Sequence, residues 1–181
     1  MKTKIILLQL FLFVCFANAQ ERFLTKTGKI NFYSKAPLED ITADNAKVLS
    51  IIDTSTGAMA IQIVMKEFQF KKALMQEHFN ENYVESDKFP NATFKGKILN
   101  FENINEAKSE YIVKGTLTIH GVSKETEIKA NFTKTDTNIL VDGNFMVALK
   151  DFDIKIPKIV FMNIAENIKV TFDFKHQPYT K

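Results

Sequence analysis

The chain has 181 residues, 24 basic against 21 acidic side chains, and one cysteine. That length suits one well-packed domain, the thin charge balance offers no electrostatic grip on nucleic acid, and one cysteine excludes a disulfide scaffold. Arg22 is the only arginine, which argues further against phosphate-backbone binding, because guanidinium forks are the preferred bidentate grip on phosphate.

In chain order, the first element is expected to be removed. Lys2 and Lys4 precede an almost wholly apolar run from Ile5 to Phe16, and Ala17-Asn18-Ala19 supplies a small-x-small cleavage pattern. We therefore expect a signal peptide over residues 1–19, a mature domain over 20–181, and a periplasmic or secreted location. The apolar run is shorter than the roughly 20 residues of a membrane span, and no transmembrane segment is expected in the mature protein. Cys15 follows Phe13-Val14, where lipidation requires small residues, so it is read as part of the leader. An exported chain without disulfides must be held by its core.

Period-two alternation dominates the rest. Strands are predicted over Phe23–Tyr33, Ala46–Asp53, Ala58–Glu67, Ala92–Phe101, Glu110–His120, Lys124–Thr133, Ile139–Lys150 and Asn167–His176. On the fifth, Tyr111, Val113, Gly115, Leu117 and Ile119 share a face opposite Ile112, Lys114, Thr116, Thr118 and His120. On the eighth, Ile168, Val170, Phe172 and Phe174 oppose Lys169, Thr171, Asp173 and Lys175. Each strand is wet on one side and apolar on the other, the half-buried pattern of antiparallel sheet. Several exceed the usual 5–6 residues, which favours a closed barrel over a sandwich. Gly121 supplies the positive φ that a tight hairpin between the fifth and sixth strands requires.

One segment departs from this pattern. Phe70–Tyr83 reads as a helix, with Met75, Phe79 and Tyr83 on one stripe and Leu74 and His78 beside it. The expected fold is all-β, an antiparallel eight-stranded barrel with one helix inserted between the third and fourth strands, covering or plugging one end. A second apolar stretch, Ile154 to Ile164 around Pro157, reads either as a rim or gate at that end or as a further strand.

Three passages together carry a family resemblance. They are Leu74-Met75-Gln76-Glu77-His78-Phe79 leading to Phe89-Pro90-Asn91-Ala92-Thr93-Phe94-Lys95-Gly96, then Gly115-Thr116-Leu117-Thr118-Ile119-His120-Gly121-Val122, then Phe152-Asp153-Ile154-Lys155-Ile156-Pro157. They resemble the YceI family, exported lipocalin-like barrels that bind polyisoprenoid lipids, and the likeness covers most of the mature chain. There are departures. Many members begin the first strand with a His-Ser pair, where this chain has Gly28-Lys29-Ile30-Asn31-Phe32. Many carry Arg-Asp ahead of a His-Leu, where it has Met75-Gln76-Glu77 before His78-Phe79.

Catalytic signatures are absent from the sequence. No G-x-S-x-G, G-x-G-x-x-G or P-loop occurs, and the three histidines have no metal-ligand spacing. His120 is expected to be an exposed turn residue and His176 part of the tail. Fourteen of the seventeen phenylalanines fall after the leader, and with no tryptophan they make the interior either solidly packed or occupied by something apolar. An isoprene unit gives very roughly 3–4 kcal/mol on burial, against association costs of about 4–15 kcal/mol, so several units are needed for retention.

The resemblance implies a carrier for a polyisoprenoid lipid or isoprenoid quinone, and the residues themselves lead us to expect no enzymatic activity, metal or cofactor. The expected walls are Phe94, Leu117 and Ile119 from the fourth and fifth strands, Phe145 and Val147 from the seventh, and Val170 and Phe172 from the eighth. Met75, Phe79 and Tyr83 are expected near the mouth, with His78 closest to a head group. Two rivals stay open: a lipid-modifying enzyme using His78 with Glu77 or Glu81 as acid and base, and a solid-cored adaptor working through its surface. The oligomeric state is left open, a homodimer included.

Overall fold

The computed structural model describes residues 22–179, so the expected leader lies outside the described residues. Eight long strands close into an antiparallel barrel: β1 (Arg22–Lys35), β2 (Asp40–Asp53), β3 (Ala58–Val64), β5 (Asn91–Ile98), β6 (Ser109–Ile119), β7 (Val122–Lys134), β8 (Ile139–Ala148) and β9 (Asn167–Tyr179). A two-residue strand, β4 (Gln69–Phe70), rides on β2 at Ala43 and Asp44. Around the ring the order is β1-β9-β8-β7-β6-β5-β3-β2, and β2 pairs back with β1 to close it. An eight-stranded barrel is just wide enough for its side chains to fill, or to hold one small ligand.

The alternation chose the inward faces. Val113 and Leu117 on β6, Ile128, Ala130 and Phe132 on β7, and Phe172 and Phe174 on β9 are all buried. The β6–β7 turn is His120-Gly121, with φ of 52° and 76°. Both central residues are thus left-handed, as a two-residue type I′ hairpin demands.

Strand ends differ from expectation where polar side chains take backbone roles. β2 begins at Asp40, not near Ala46. Its first half carries Asn45, which is buried; the Asn45 side-chain amide donates to the Val64 carbonyl at 3.0 Å and its oxygen accepts from the Lys47 amide at 2.9 Å. Asn45 therefore seals the point where β3 leaves β2 and β4 takes its place.

The helix falls between the third and fourth long strands, as anticipated, but it is shorter than read. Phe70 belongs to β4, α1 spans Ala73–His78, and the chain continues as a π turn over Phe79–Tyr83, closed by the Val84 amide donating to the Phe79 carbonyl at 3.0 Å. Six residues make no stable helix alone; packing holds this one. The Phe79 ring touches Phe32, Phe68 and Phe70 at centroid distances of 5.5, 5.6 and 5.1 Å.

Strand directions sort the connections into two ends. The β1–β2 turn, the crossover carrying α1, the β6–β7 turn and the long β8–β9 connection share one end, the mouth. The β2–β3, β5–β6 and β7–β8 connections share the other, the floor. The β8–β9 connection contains 3₁₀ turns at Leu149–Phe152 and Lys158–Val160 and no strand, so the Ile154–Ile164 stretch forms rim rather than wall.

Candidate functional site

Inward-facing apolar residues of β1, β3, β6, β8 and β9 leave a cavity of about 470 Å³ beneath α1 and the β8–β9 connection. A smaller chamber of about 50 Å³ lies deeper, and Ile30, Ile63, Leu117 and Phe145 line both. The main cavity falls within the 300–1,000 Å³ usual for small-molecule sites.

Nine of the eleven anticipated residues line the main cavity: Leu117, Ile119, Phe145, Val147 and Val170 on the walls, and Met75, His78, Phe79 and Tyr83 from the helical crossover. Phe94 and Phe172 line the deeper chamber instead. Phe32, Phe68 and Phe70 also line the cavity; Phe32 was legible only as an inward residue of β1, since the site depends on which strands the crossover covers.

Polar groups are few and gather at the mouth. The Lys72 ammonium donates to the Glu39 carboxylate at 2.8 Å, joining the start of α1 to the β1–β2 turn. Ser34 is occupied, its hydroxyl oxygen accepting from the Ala165 amide at 2.9 Å. Burial pushes the Tyr83 phenol above its ordinary pKa, keeping it a neutral donor. His78 is exposed at the mouth and, among the described residues, hydrogen-bonds to neither Glu77 nor Glu81. A buried water needs two to four polar partners, which the walls below the mouth do not supply. Such a lining suits hydrocarbon.

The other two histidines are structural, and both correct the sequence reading. His120 is not an exposed turn residue: its side chain is only 12% exposed, Nε2 lies 2.7 Å from the Glu85 carboxylate, and Nδ1 lies 3.1 Å from the Phe152 carbonyl. It clasps the crossover, the β6–β7 turn and the β8–β9 connection together. These partners are 35 and 32 residues away, so no local pattern announced them. His176 is not tail. It is wholly buried at the floor, where Nδ1 donates to the Ile139 carbonyl at 3.2 Å and Nε2 accepts from the Ser50 hydroxyl at 2.8 Å. Burial pulls its pKa from 6.5 down to about 4, so the ring is neutral. The signal was present, because His176 continues the inward series Phe172, Phe174.

Below the cavity the barrel narrows onto aromatic rings. Phe172 and Phe174 stack at 5.5 Å, and Phe174 meets His176 edge-on at 6.0 Å. A Cβ at Gly28 would fall 2.6 Å from the Phe174 ring, and one at Gly143 would fall 2.7 Å from Phe172. Glycine at these places leaves room for the two rings inside the barrel.

Residues 13–176 match the YceI-like domain family. A polyisoprenoid binding domain from Saccharophagus degradans, implicated in plant cell wall breakdown, superposes with a TM-score of 0.75 at 15% identity, covering 87% of this chain and 98% of that one. BcnA from Burkholderia cenocepacia gives 0.67 at 17% identity, covering 84% and 96%. A Campylobacter jejuni YceI protein gives 0.55 at 15% identity, covering 87% and 86%. At such identities these likenesses establish a shared fold. Comparison with curated protein sequences found no match.

Proposed function

The chain belongs to the YceI family, and from that premise we propose that it is an exported carrier holding the tail of a polyisoprenoid lipid, isoprenoid quinones included, within the barrel. The observation that carries this reading is the cavity itself: about 470 Å³, apolar along its depth, with its polar groups confined to the mouth. The Saccharophagus degradans relative is described as polyisoprenoid-binding, which fits the same chemistry. Export rests on the leader-like residues 1–19.

Size refines the proposal. At about 30 Å³ per water-sized volume, 470 Å³ takes about 15 such volumes, or about three isoprene units. Their burial yields about 12 kcal/mol gross at 0.8 kcal/mol per carbon group. Association costs about 4–15 kcal/mol against that. Three units therefore bind weakly unless the head group is also engaged, and the Lys72–Glu39 pair, His78 and Tyr83 are placed to engage it. A longer chain would leave its excess at the mouth. Binding is favoured over catalysis because, among the described residues, Glu39 is engaged by Lys72 and His78 hydrogen-bonds to neither Glu77 nor Glu81.

Native mass spectrometry of protein purified without detergent, followed by organic extraction, tests the reading. The expected result is a single added mass that extracts as a prenyl lipid. A clean unliganded mass, unchanged after incubation with isoprenoid quinones and polyprenyl phosphates, overturns it.

A further inference from the structure

The mouth is ringed by large apolar side chains that face outward. Leu38 in the β1–β2 turn is 70% exposed, Leu74 at the start of α1 60%, and Ile159, Phe161 and Met162 in the β8–β9 connection 91%, 50% and 49%. They form one rim. The Leu38 amide donates to the Met162 carbonyl at 3.0 Å, and Lys72, two residues before Leu74, reaches Glu39 beside Leu38 at 2.8 Å. In the long connection the labour is divided: Val160 and Ile164 line the cavity, while Ile159, Phe161 and Met162 turn away from it into solvent.

Charge follows the apolar tips. The three rim segments read Lys35-Ala36-Pro37-Leu38, Lys71-Lys72-Ala73-Leu74 and Lys155-Ile156-Pro157-Lys158-Ile159-Val160-Phe161-Met162, with five lysines, and the acids that follow Leu38 are both engaged, Glu39 by Lys72 and Asp40 by the Tyr33 hydroxyl. Lys35, Lys71, Lys155 and Lys158 are exposed and, among the described residues, form no ion pair. Of the acids of the crossover, Glu77 on α1, Glu81 in the π turn and Asp87 line an outer groove with Lys66, Glu67 pairs with Lys47, and Glu85 is held by His120. On the connection itself, Asp151 and Asp153 lie before the buried anchor Ile154, and Glu166 lies beyond Ile164, where its carbonyl accepts from the Leu149 amide at the foot of the loop.

We propose that this rim is a docking surface for an anionic lipid bilayer, on which the barrel stands mouth down. Leu38, Leu74, Ile159, Phe161 and Met162 would enter the boundary between head groups and acyl chains, and the lysines would meet the phosphates, the division of labour of interfacial membrane binders. Scattered exposed apolar residues are ordinary. A cluster of them on three linked segments, carrying unpaired cations and bordering an apolar cavity, is not. The pose places the cavity opening against the membrane, so a lipid tail passes between bilayer and barrel without crossing water.

This goes beyond the carrier reading and is tested without any cavity ligand. The protein contains no tryptophan, so Phe161→Trp introduces a single indole reporter on the rim. Flotation with vesicles of equal parts phosphatidylglycerol and phosphatidylcholine is compared with phosphatidylcholine alone. Expected are co-flotation with the anionic vesicles only, a blue shift of the indole emission on their addition, and loss of both at high salt. Ile159→Ser combined with Phe161→Ser should lower the partition coefficient by about tenfold or more. Lys155→Gln and Lys158→Gln should lower it by about fivefold each. All four side chains are exposed, so an unchanged thermal midpoint shows that folding is intact. Absence of flotation, or flotation indifferent to these substitutions, overturns the proposal. So does a blue shift that grows with protein concentration in the absence of vesicles, since the rim would then be an interface between copies of this chain.

Discussion

At the mouth, His120 sits between two acceptors, the Phe152 carbonyl and the Glu85 carboxylate. At the floor, His176 sits between an acceptor, the Ile139 carbonyl, and a donor, the Ser50 hydroxyl. Each ring joins distant parts of the chain, yet the environments are opposite in kind. His120 holds connections together beside solvent, using a carboxylate that water can reach. His176 holds strands together where water cannot, and its bonds are complete only for a neutral ring. The same contrast runs through both regions. Around His120 are a six-residue helix, a π turn and 3₁₀ turns; around His176 are long strands and stacked rings. The floor is a packed interior and the mouth an assembled cover, so changes at the floor should be paid in stability and changes at the mouth in binding.

The sharpest contrast is between two phenylalanines. Phe174 is 1% exposed and stacked on Phe172, so Phe174→Ala should destabilise by about 3–5 kcal/mol, the usual loss for a truncated core ring. Phe145 is only partly buried, on the cavity wall, and Phe145→Ala should cost clearly less because one side of its ring already lacks packing partners. Urea unfolding of both variants decides the matter. Equal losses would show that the walls of the cavity are packed as tightly as the floor.

Next in size is the response to acid. With a pKa of about 4 folded against 6.5 unfolded, His176 takes up its proton first in the unfolded chain as pH falls. Stability owed to the neutral ring is fully present above about pH 6.5 and is lost progressively toward pH 4, by up to about 3 kcal/mol. Urea midpoints measured across that window should fall more steeply for the native protein than for His176→Gln. The variant itself starts less stable at neutral pH, by about 1–3 kcal/mol, because the Ile139 carbonyl or the Ser50 hydroxyl is left poorly paired. Parallel curves for the two proteins would assign the acid sensitivity to carboxylates instead.

These contrasts also explain what could be read in advance. Strands β6 to β9 follow their alternation closely, because most of their inward positions are filled by apolar side chains, His176 being the buried exception. The first half of β2 was missed because its inward positions include Ala43 and Asn45, a small residue and a polar one. Period two carried His176 inward, but its chemistry argued outward, and the partner that reverses the argument, Ser50, lies 126 residues away. The helix was placed correctly in the topology and begun too early, since the Phe70 ring faces Phe32 and Phe79 equally well from a strand. The cavity was the least legible feature. Inward-facing Leu117, Ile119 and Phe145 look the same in sequence whether the barrel is filled or hollow. The difference lies in how far the crossover and the β8–β9 connection stand off from the sheet.

The smallest expected effect on stability therefore makes the most direct probe of that hollow. Ile119 is half-buried at the mouth end of β6 and lines the main cavity, so Ile119→Trp should shift stability by less than about 1 kcal/mol, with the indole lying in space already present. Val141, 1% exposed and part of the lining of the 50 Å³ chamber, has no such room, and Val141→Trp should incur the overpacking penalty of about 1–3 kcal/mol or more. The two substitutions differ in location far more than in chemistry, so their ratio in a thermal melt reports free volume directly. The tolerated indole should also compete with a bound tail, lowering lipid uptake while the fold stands. A melt in which Ile119→Trp loses as much as Val141→Trp would mean that the mouth is as solid as the floor, and the carrier reading would lose its physical basis.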